Sequence, residues 1–230
     1  MKERVFRFRA VEKRIAASLP GMRALDVGCG RGDNLRRLAR HGSRVAGVEP
    51  ALDRAKQAGQ VADVAVGVGE HLPFAAERFD LVYISHVLHH ATDVESVVAE
   101  SHRALVPGGL LFVIETIDDS PLMRLARAVQ PSWDDDAVLN RFRYADLAAC
   151  FEARGFEVLR GEKFNWMYFA WELLPMAFRP LELLTPIFIA IEALLHPILG
   201  RRWGGHCWLV ARKPGAPIFA NQGEDPSARA

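Results

Sequence analysis

Three glycines, Gly28, Gly30 and Gly32, stand between the apolar run Ala24 to Val27 and a helical stretch, and no other feature constrains the fold as tightly. Without side chains, the backbone there turns sharply and comes close to a ligand. The spacing is Gly-x-Gly-x-Gly with Asp26 two residues ahead, not the Gly-x-Gly-x-x-Gly that seats a dinucleotide's pyrophosphate. NAD and FAD are therefore not expected.

Around this loop, β-rich runs alternate with helical ones: Ala24 to Val27, Arg44 to Val48, Val61 to Val66, Phe79 to Ile84 and Gly109 to Glu115. Such alternation predicts a parallel sheet with helices on both faces, an α/β, Rossmann-like doubly wound fold. Upstream, Val5, Phe8, Val11, Ile15 and Leu19 recur at helical spacing among Arg, Lys and Glu, so residues 1–20 read as an amphipathic helix stopped by Pro20-Gly21. Thr92-Asp93-Val94-Glu95 reads as a capping box with Thr92 as the cap, opening a helix to about Leu105. Val106-Pro107-Gly108-Gly109 then turns the chain into the fifth strand. Pro121 to Val129 and Tyr144 to Arg154 read as helices, Gly155 as the stop of the second, and Phe156 to Phe164 and His206 to Arg212 as two more strands. One domain over residues 1–213 and a polar tail over 214–230 are expected.

Half of the 230 residues are hydrophobic and a quarter charged, enough for a large core. The net charge of +1 supplies no long-range attraction for a polyanion, so a nucleic-acid partner is not expected. Cys29, Cys150 and Cys207 are scattered and odd in number, with no CxxC pair, and the basic N-terminus lacks a secretory pattern. A cytoplasmic protein is expected. In the most apolar region the longest stretch without an ionisable residue, Leu183 to Ile191, falls far short of the roughly 20 residues that span a bilayer.

Nineteen residues beyond Gly30 lies Glu49, at the end of the second apolar run, where a carboxylate accepts hydrogen bonds from both hydroxyls of a ribose. With it, "ALDVGCGRGDNL", "GVEP", "GEHLPF", "FDLVYISHVLHH" and "LVPGGLLFVIE", in this order, resemble the class I S-adenosylmethionine-dependent methyltransferases over roughly residues 20–165. A plain strand-to-helix turn would not require this whole series. The resemblance implies a seven-stranded sheet with the last strand antiparallel and S-adenosyl-L-methionine across the carboxyl ends of the first strands. It places Asp26 and Gly28, Cys29, Gly30 and Gly32 on the methionine portion, and Glu49, with Pro50 after it, on the ribose. Val68 and Gly69 fall beside the adenine, and Ser85 and His86 close the pocket. The chain departs from the family in one place. Gly67-Val68-Gly69-Glu70 stands where relatives commonly have Gly-Asp-Ala-Glu, so a carboxylate for the adenine amino group is missing.

Methyl transfer needs its nucleophile in line behind the methyl group, and positioning alone supplies up to about 7–11 kcal/mol in ideal intramolecular models. A base helps if the acceptor is a hydroxyl or an acidic carbon, and His86, His89, His90 and Glu115 lie at predicted strand ends near the pocket. The first, second and fourth of these are the candidate catalytic residues, although His89-His90 also suits packing or capping of the loop. No metal is assigned, because no carboxylate or cysteine near the three histidines has ligand spacing. Asp134-Asp135-Asp136 reads as a solvated loop.

Trp166 to Gly200 is the least family-like segment, rich in Trp, Phe, Leu and Ile and interrupted by Pro175, Pro180, Pro186 and Pro197. It reads as two or three short apolar helices, one starting at Thr185-Pro186. Such a surface calls for a cover: a small hydrophobic or lipid-linked acceptor beneath a lid first, peripheral contact with the inner membrane face second, a homodimer third. The expected activity is methyl transfer to an oxygen or carbon of that acceptor. Aminopropyl transfer in the same pocket is a rival chemistry. A non-catalytic scaffold or cofactor sensor that binds a partner or membrane through the apolar insertion is the alternative from another class.

Overall fold

The computed structural model describes residues 21–121, 124, 138–164 and 185–216. Strand β1 (Arg23–Val27) shows why a sheet forms here: its alternate side chains point to opposite faces, Leu25 and Val27 into one apolar cluster and Ala24 into another. Both faces are covered, as a parallel sheet requires. Then follow α1 (Asp33–Arg40), β2 (Arg44–Glu49), α2 (Leu52–Ala58), β3 (Asp63–Val66), β4 (Phe79–Ser85), α3 (Val94–Ala104) and β5 (Leu105–Thr116). The later elements are α4 (Tyr144–Ala153), β6 (Glu157–Phe164), α5 (Thr185–Trp203) and β7 (His206–Arg212).

The strands form one seven-stranded sheet in the order β3-β2-β1-β4-β5-β7-β6. Strands β1 to β5 pair in parallel, whereas β7 enters antiparallel between β5 and β6. The expected fold and its antiparallel last strand are thus observed. From β1 the chain winds outward through β2 to β3, then crosses back to start β4 on the other side. That reversal opens a crevice beyond the carboxyl ends of β1 and β4, where ligands of open α/β sheets bind.

The core follows from the strand pattern. On one face Leu25, Val27, Val82, Ile84, Leu111 and Val113 pack with Val97, Val98 and Phe151 of α3 and α4. The other face holds Leu81, Tyr83, Phe112 and Trp208. Helix α4 stops as the glycine predicts: Gly155 has φ +83°, its N–H reaches Glu152 O at 3.0 Å, and Phe156 N reaches Phe151 O at 3.1 Å.

Three local expectations need correction. Asp93, not Thr92, caps α3, with its carboxylate accepting from Ser96 N at 3.1 Å. Thr92 is taken elsewhere, since its N–H and hydroxyl both donate to Glu70 Oε1, at 2.8 and 3.0 Å. The residues Val106 to Gly109 are not a turn but the first part of β5, entered directly from α3. Gly108 N donates to Lys213 O at 3.0 Å and Lys213 N to Gly109 O at 2.9 Å, so the C-terminal segment pairs with residues that local sequence marks as breakers.

Pro197 does not break α5. The helix gives up one backbone bond there, but the neighbouring turns are tied to the sheet. His196 is buried with Nε2 2.7 Å from Glu162 Oε1, and Gly200 lies so close that a Cβ on it would stand 2.3 Å from the His196 ring. No helix among the described residues is long and apolar enough to cross a membrane. The expected helix over 1–20, the Asp134 to Asp136 loop, most of the helix from Pro121, residues 166–184 of the insertion and the tail beyond 216 lie outside the described residues.

Candidate active site

The glycine loop leaves the carboxyl end of β1 and is fastened to β2, with Gly28 N and Cys29 N both donating to Val48 O, at 2.8 and 3.0 Å. Gly28 has φ +69°, and a Cβ there would meet Val87 Cγ2 at 2.4 Å, so the loops after β1 and β4 touch at a glycine. Gly30 has φ +55°, and a Cβ on it would meet nothing within 4 Å, so its backbone faces open space. Gly32, at φ 86°, is the N-cap of α1.

Glu49 ends β2 only 4% exposed. Its Oε2 accepts from Gly30 N at 2.9 Å and its Oε1 from Ala51 N at 3.1 Å, so the carboxylate clamps the glycine loop to the start of α2. Each oxygen retains capacity for a second donor. Asp26 is fully buried in β1. Burial first, then the charges of Asp26 and Glu49, push the Cys29 thiol up to about 12, which leaves it protonated and unreactive at neutral pH. Pro50 is exposed after Glu49, Val68 is exposed after β3, and Gly69 packs so closely on Val27 and Val97 that a Cβ would stand 3.0 Å from Val27 Cγ1. Glu70 turns toward α3. Burial raises its carboxyl, but amides of Glu70, Thr92 and Asp93 and the Thr92 hydroxyl outweigh this and hold it below its ordinary value.

Beside the crevice, Ser85 ends β4 in register with Ile114 of β5, which brings the loop after β4 against the end of β5. Glu115, with no exposed surface, accepts from Leu88 N at 3.0 Å, from Thr116 N at 2.8 Å and from His89 Nδ1 at 2.6 Å. His86 Nδ1 lies 4.0 Å from the same Oε1. His86 is one of two non-glycine residues among those described with positive φ, at 56°. The three candidate catalytic residues are therefore brought together, and the His90 ring lies tilted against that of His89 with centroids 4.0 Å apart.

Two members of this site have no local signal in the sequence. His206 opens β7, pairs with Thr116 and sets its ring 5.4 Å from that of His86. Asn140 donates through Nδ2 to Leu88 O at 3.2 Å and Ala91 O at 2.6 Å, while Leu139 N and Asn140 N donate to His89 O, so this strut holds the short 3-10 turn Leu88–His90 in place. Next to it, Ser120 Oγ donates to Trp203 O at 2.7 Å and Lys163 pairs with Asp119, which anchors α5 and β6 at the same end of the sheet.

Comparison with known proteins gives consistent matches. The family model for a methyltransferase domain matches residues 25–113. Over 105 residues the chain is 37% identical to the ubiquinone biosynthesis O-methyltransferase of Rhizobium etli, covering 43% of this chain and 42% of that one. It is 34% identical over 173 residues to 24-methylenesterol C-methyltransferase 2 of Oryza sativa subsp. japonica, covering 66% of this chain and 47% of the other. The chain thus spans about half the length of the curated relatives it matches. Its fold is similar to that of an S-adenosylmethionine-dependent methyltransferase from Mesorhizobium loti, with a TM-score of 0.65 at 20% identity over 90% of this chain and 97% of that one.

Proposed function

We propose that this chain, whose residues 25–113 match a methyltransferase-domain family model, is a class I S-adenosylmethionine-dependent methyltransferase that transfers a methyl group from S-adenosylmethionine to a small hydrophobic acceptor. The observation that carries this reading is Glu49, buried at the end of β2 and holding the glycine loop while each oxygen keeps room for another donor. Two vicinal ribose hydroxyls are donors of that kind. Asp26, Gly28, Cys29, Gly30 and Gly32 are assigned to the methionine portion, Glu49 and Pro50 to the ribose, Val68 and Gly69 to the adenine, and Ser85 to the wall from β4. When bound, the cofactor supplies a methyl carbon made electrophilic by its sulfonium.

The acceptor is assigned to the ends of β4 and β5, beside α5. A carboxylate that accepts from two backbone amides leaves the His89 Nδ1 to donate, so His89 presents Nε2 as the proton acceptor. His89 is the base for a hydroxyl or acidic-carbon acceptor, Glu115 its orienting partner, and His86 the more exposed neighbour at the entrance. Similarity to relatives named as an O- and a C-methyltransferase supports oxygen or carbon as the accepting atom. The anchoring of α5 beside this end of the sheet supports a covering role for the apolar insertion, whose outer face exposes Ile187, Leu194 and Ile198.

Calorimetry with S-adenosylmethionine tests the pocket: saturable binding that weakens in Glu49→Gln supports it, and no binding to the folded wild type refutes it. Incubation with labelled cofactor and cell extract, followed by mass spectrometry of the product, identifies the acceptor. A labelled nucleic acid in place of a small molecule would overturn the acceptor class.

A further inference from the structure

The histidine cluster has the composition of a metal site as well as that of a base. His86, His89 and Glu115 each offer one ligand atom, and these lie within 4.8 Å of one another. Donors bound to one ion at about 2.0–2.2 Å lie roughly 3–4 Å apart, depending on the angle between them. The observed separations bracket that range: 2.6 Å from His89 Nδ1 to Glu115 Oε1 and 4.0 Å from His86 Nδ1 to the same oxygen. The 4.0 Å pair already lies at the upper end of that range, so only the hydrogen-bonded His89–Glu115 pair has to lengthen to admit an ion.

The surroundings are those of a prepared site. The Glu115 carboxylate is fixed by the amides of Leu88 and Thr116, as ligands commonly are by neighbours that do not touch the ion. His86 is held in the left-handed region at φ 56°, a strained backbone for a residue with a side chain, while its N–H donates to Ile114 O at 2.9 Å. That conformation keeps its imidazole over the end of β5. The His86 side chain is 45% exposed and that of Glu115 0%, so the cluster is closed beneath and open toward solvent.

We propose that His86, His89 and Glu115 bind one divalent d-block cation. Two imidazoles and one carboxylate suit zinc, manganese, iron or nickel better than calcium or magnesium, which prefer oxygen alone. The ion takes the place of the hydrogen between His89 Nδ1 and Glu115 Oε1, which is released to solvent. Its open positions receive a ligand with an oxygen donor. In terms of the proposed function, on which this part rests, that ligand is a hydroxylated acceptor. The cation then replaces His89 as the means of activation: it lowers the bound hydroxyl's proton affinity, and the proton passes to water.

The test uses the whole protein, stripped with a chelator and titrated with Co²⁺ while its visible absorption is followed. The expected result is a saturable spectrum at one equivalent that Zn²⁺ abolishes. His86→Ala, a change at an exposed side chain, should weaken binding at least about tenfold, the lower end of what even supporting residues contribute. Glu115→Gln should do the same, and the surface control His71→Ala should not. Absence of a saturable spectrum overturns the proposal, as does unchanged affinity in both His86→Ala and Glu115→Gln. Titration of the metal-free protein with S-adenosylmethionine separates the two readings. Cobalt binding without cofactor binding supports the metal site and refutes the proposed function, and cofactor binding without cobalt does the reverse.

Discussion

Replacing Glu49 by Gln changes one atom and removes one charge, and the structure sets the size of the effect. The carboxylate accepts two backbone amides, Gly30 N at 2.9 Å and Ala51 N at 3.1 Å. A glutamine has one oxygen, so its NH₂ must face one of these N–H groups, donor against donor. Leaving a buried donor unsatisfied costs about 1–3 kcal/mol. At about 2–4 °C per kcal/mol for a chain of this size, the unliganded protein should melt several degrees lower. Cofactor affinity should fall further, because a ribose hydroxyl then loses a charged acceptor. Net loss of one such bond is worth about 1.5–3 kcal/mol, or roughly 10- to 150-fold in Kd. Calorimetry on wild type, Glu49→Gln and Glu70→Gln gives the comparison. Glu70 is committed to Thr92, so Glu70→Gln should leave Kd unchanged. A Kd for Glu49→Gln within about threefold of wild type, alongside a lowered melting temperature, would show Glu49 to be a loop strut alone.

Other outcomes follow from the same geometry. Gly28→Ala places a Cβ 2.4 Å from Val87 Cγ2 at φ +69° and should cost roughly 1–3 kcal/mol in urea unfolding, part of it restored by adding Val87→Ala. Burial alone would raise the Asp80 carboxyl, but hydrogen bonds and charge from Arg23 hold it below its ordinary value. The folded state therefore binds this proton less readily than the unfolded chain. The stabilisation is complete above the unfolded chain's pKa and is lost as pH falls through the lower folded one. Asp80→Asn should accordingly be less stable than wild type at neutral pH, with the gap in urea midpoint closing in acid; a constant gap would sink the argument. Burial raises all three thiols, but Cys29 and Cys207 are also sterically enclosed, whereas Cys150 is only half-buried. Alkylation of the native protein, mapped by peptide mass spectrometry, should therefore mark Cys150 well before the others.

The strands were legible because their signal is local. A run such as Phe79 to Ile84 declares itself by apolar, β-branched content whatever it pairs with, and six of the seven strands begin within two residues of the sequence expectation. Asp26, the glycines and Glu49 were legible for a similar reason, since a loop at one strand end and a carboxylate at the next imply a shared crevice in any parallel sheet. Where neighbours compete, the local reading fails. Thr92 has the chemistry of a cap, but Glu70, distant in the chain, takes its hydroxyl and leaves the role to Asp93. Pro197 has the chemistry of a breaker, but His196, tied to Glu162 of β6 and packed against Gly200, carries the helix past it.

Composition and spacing are properties of the chain read along its length, and they were enough for the α/β class, the strand ends and the place of the glycine loop after the first strand. The meeting of His86 and His89 with Glu115 depends on β4 lying beside β5, and the arrival of His206 depends on β7 running antiparallel along β5 with Thr116 opposite it. Those contacts join residues with no periodic relation in the sequence. They exist because burying both faces of the sheet fixes which strands are neighbours and in what register, and so places four ionisable side chains around the end of one strand.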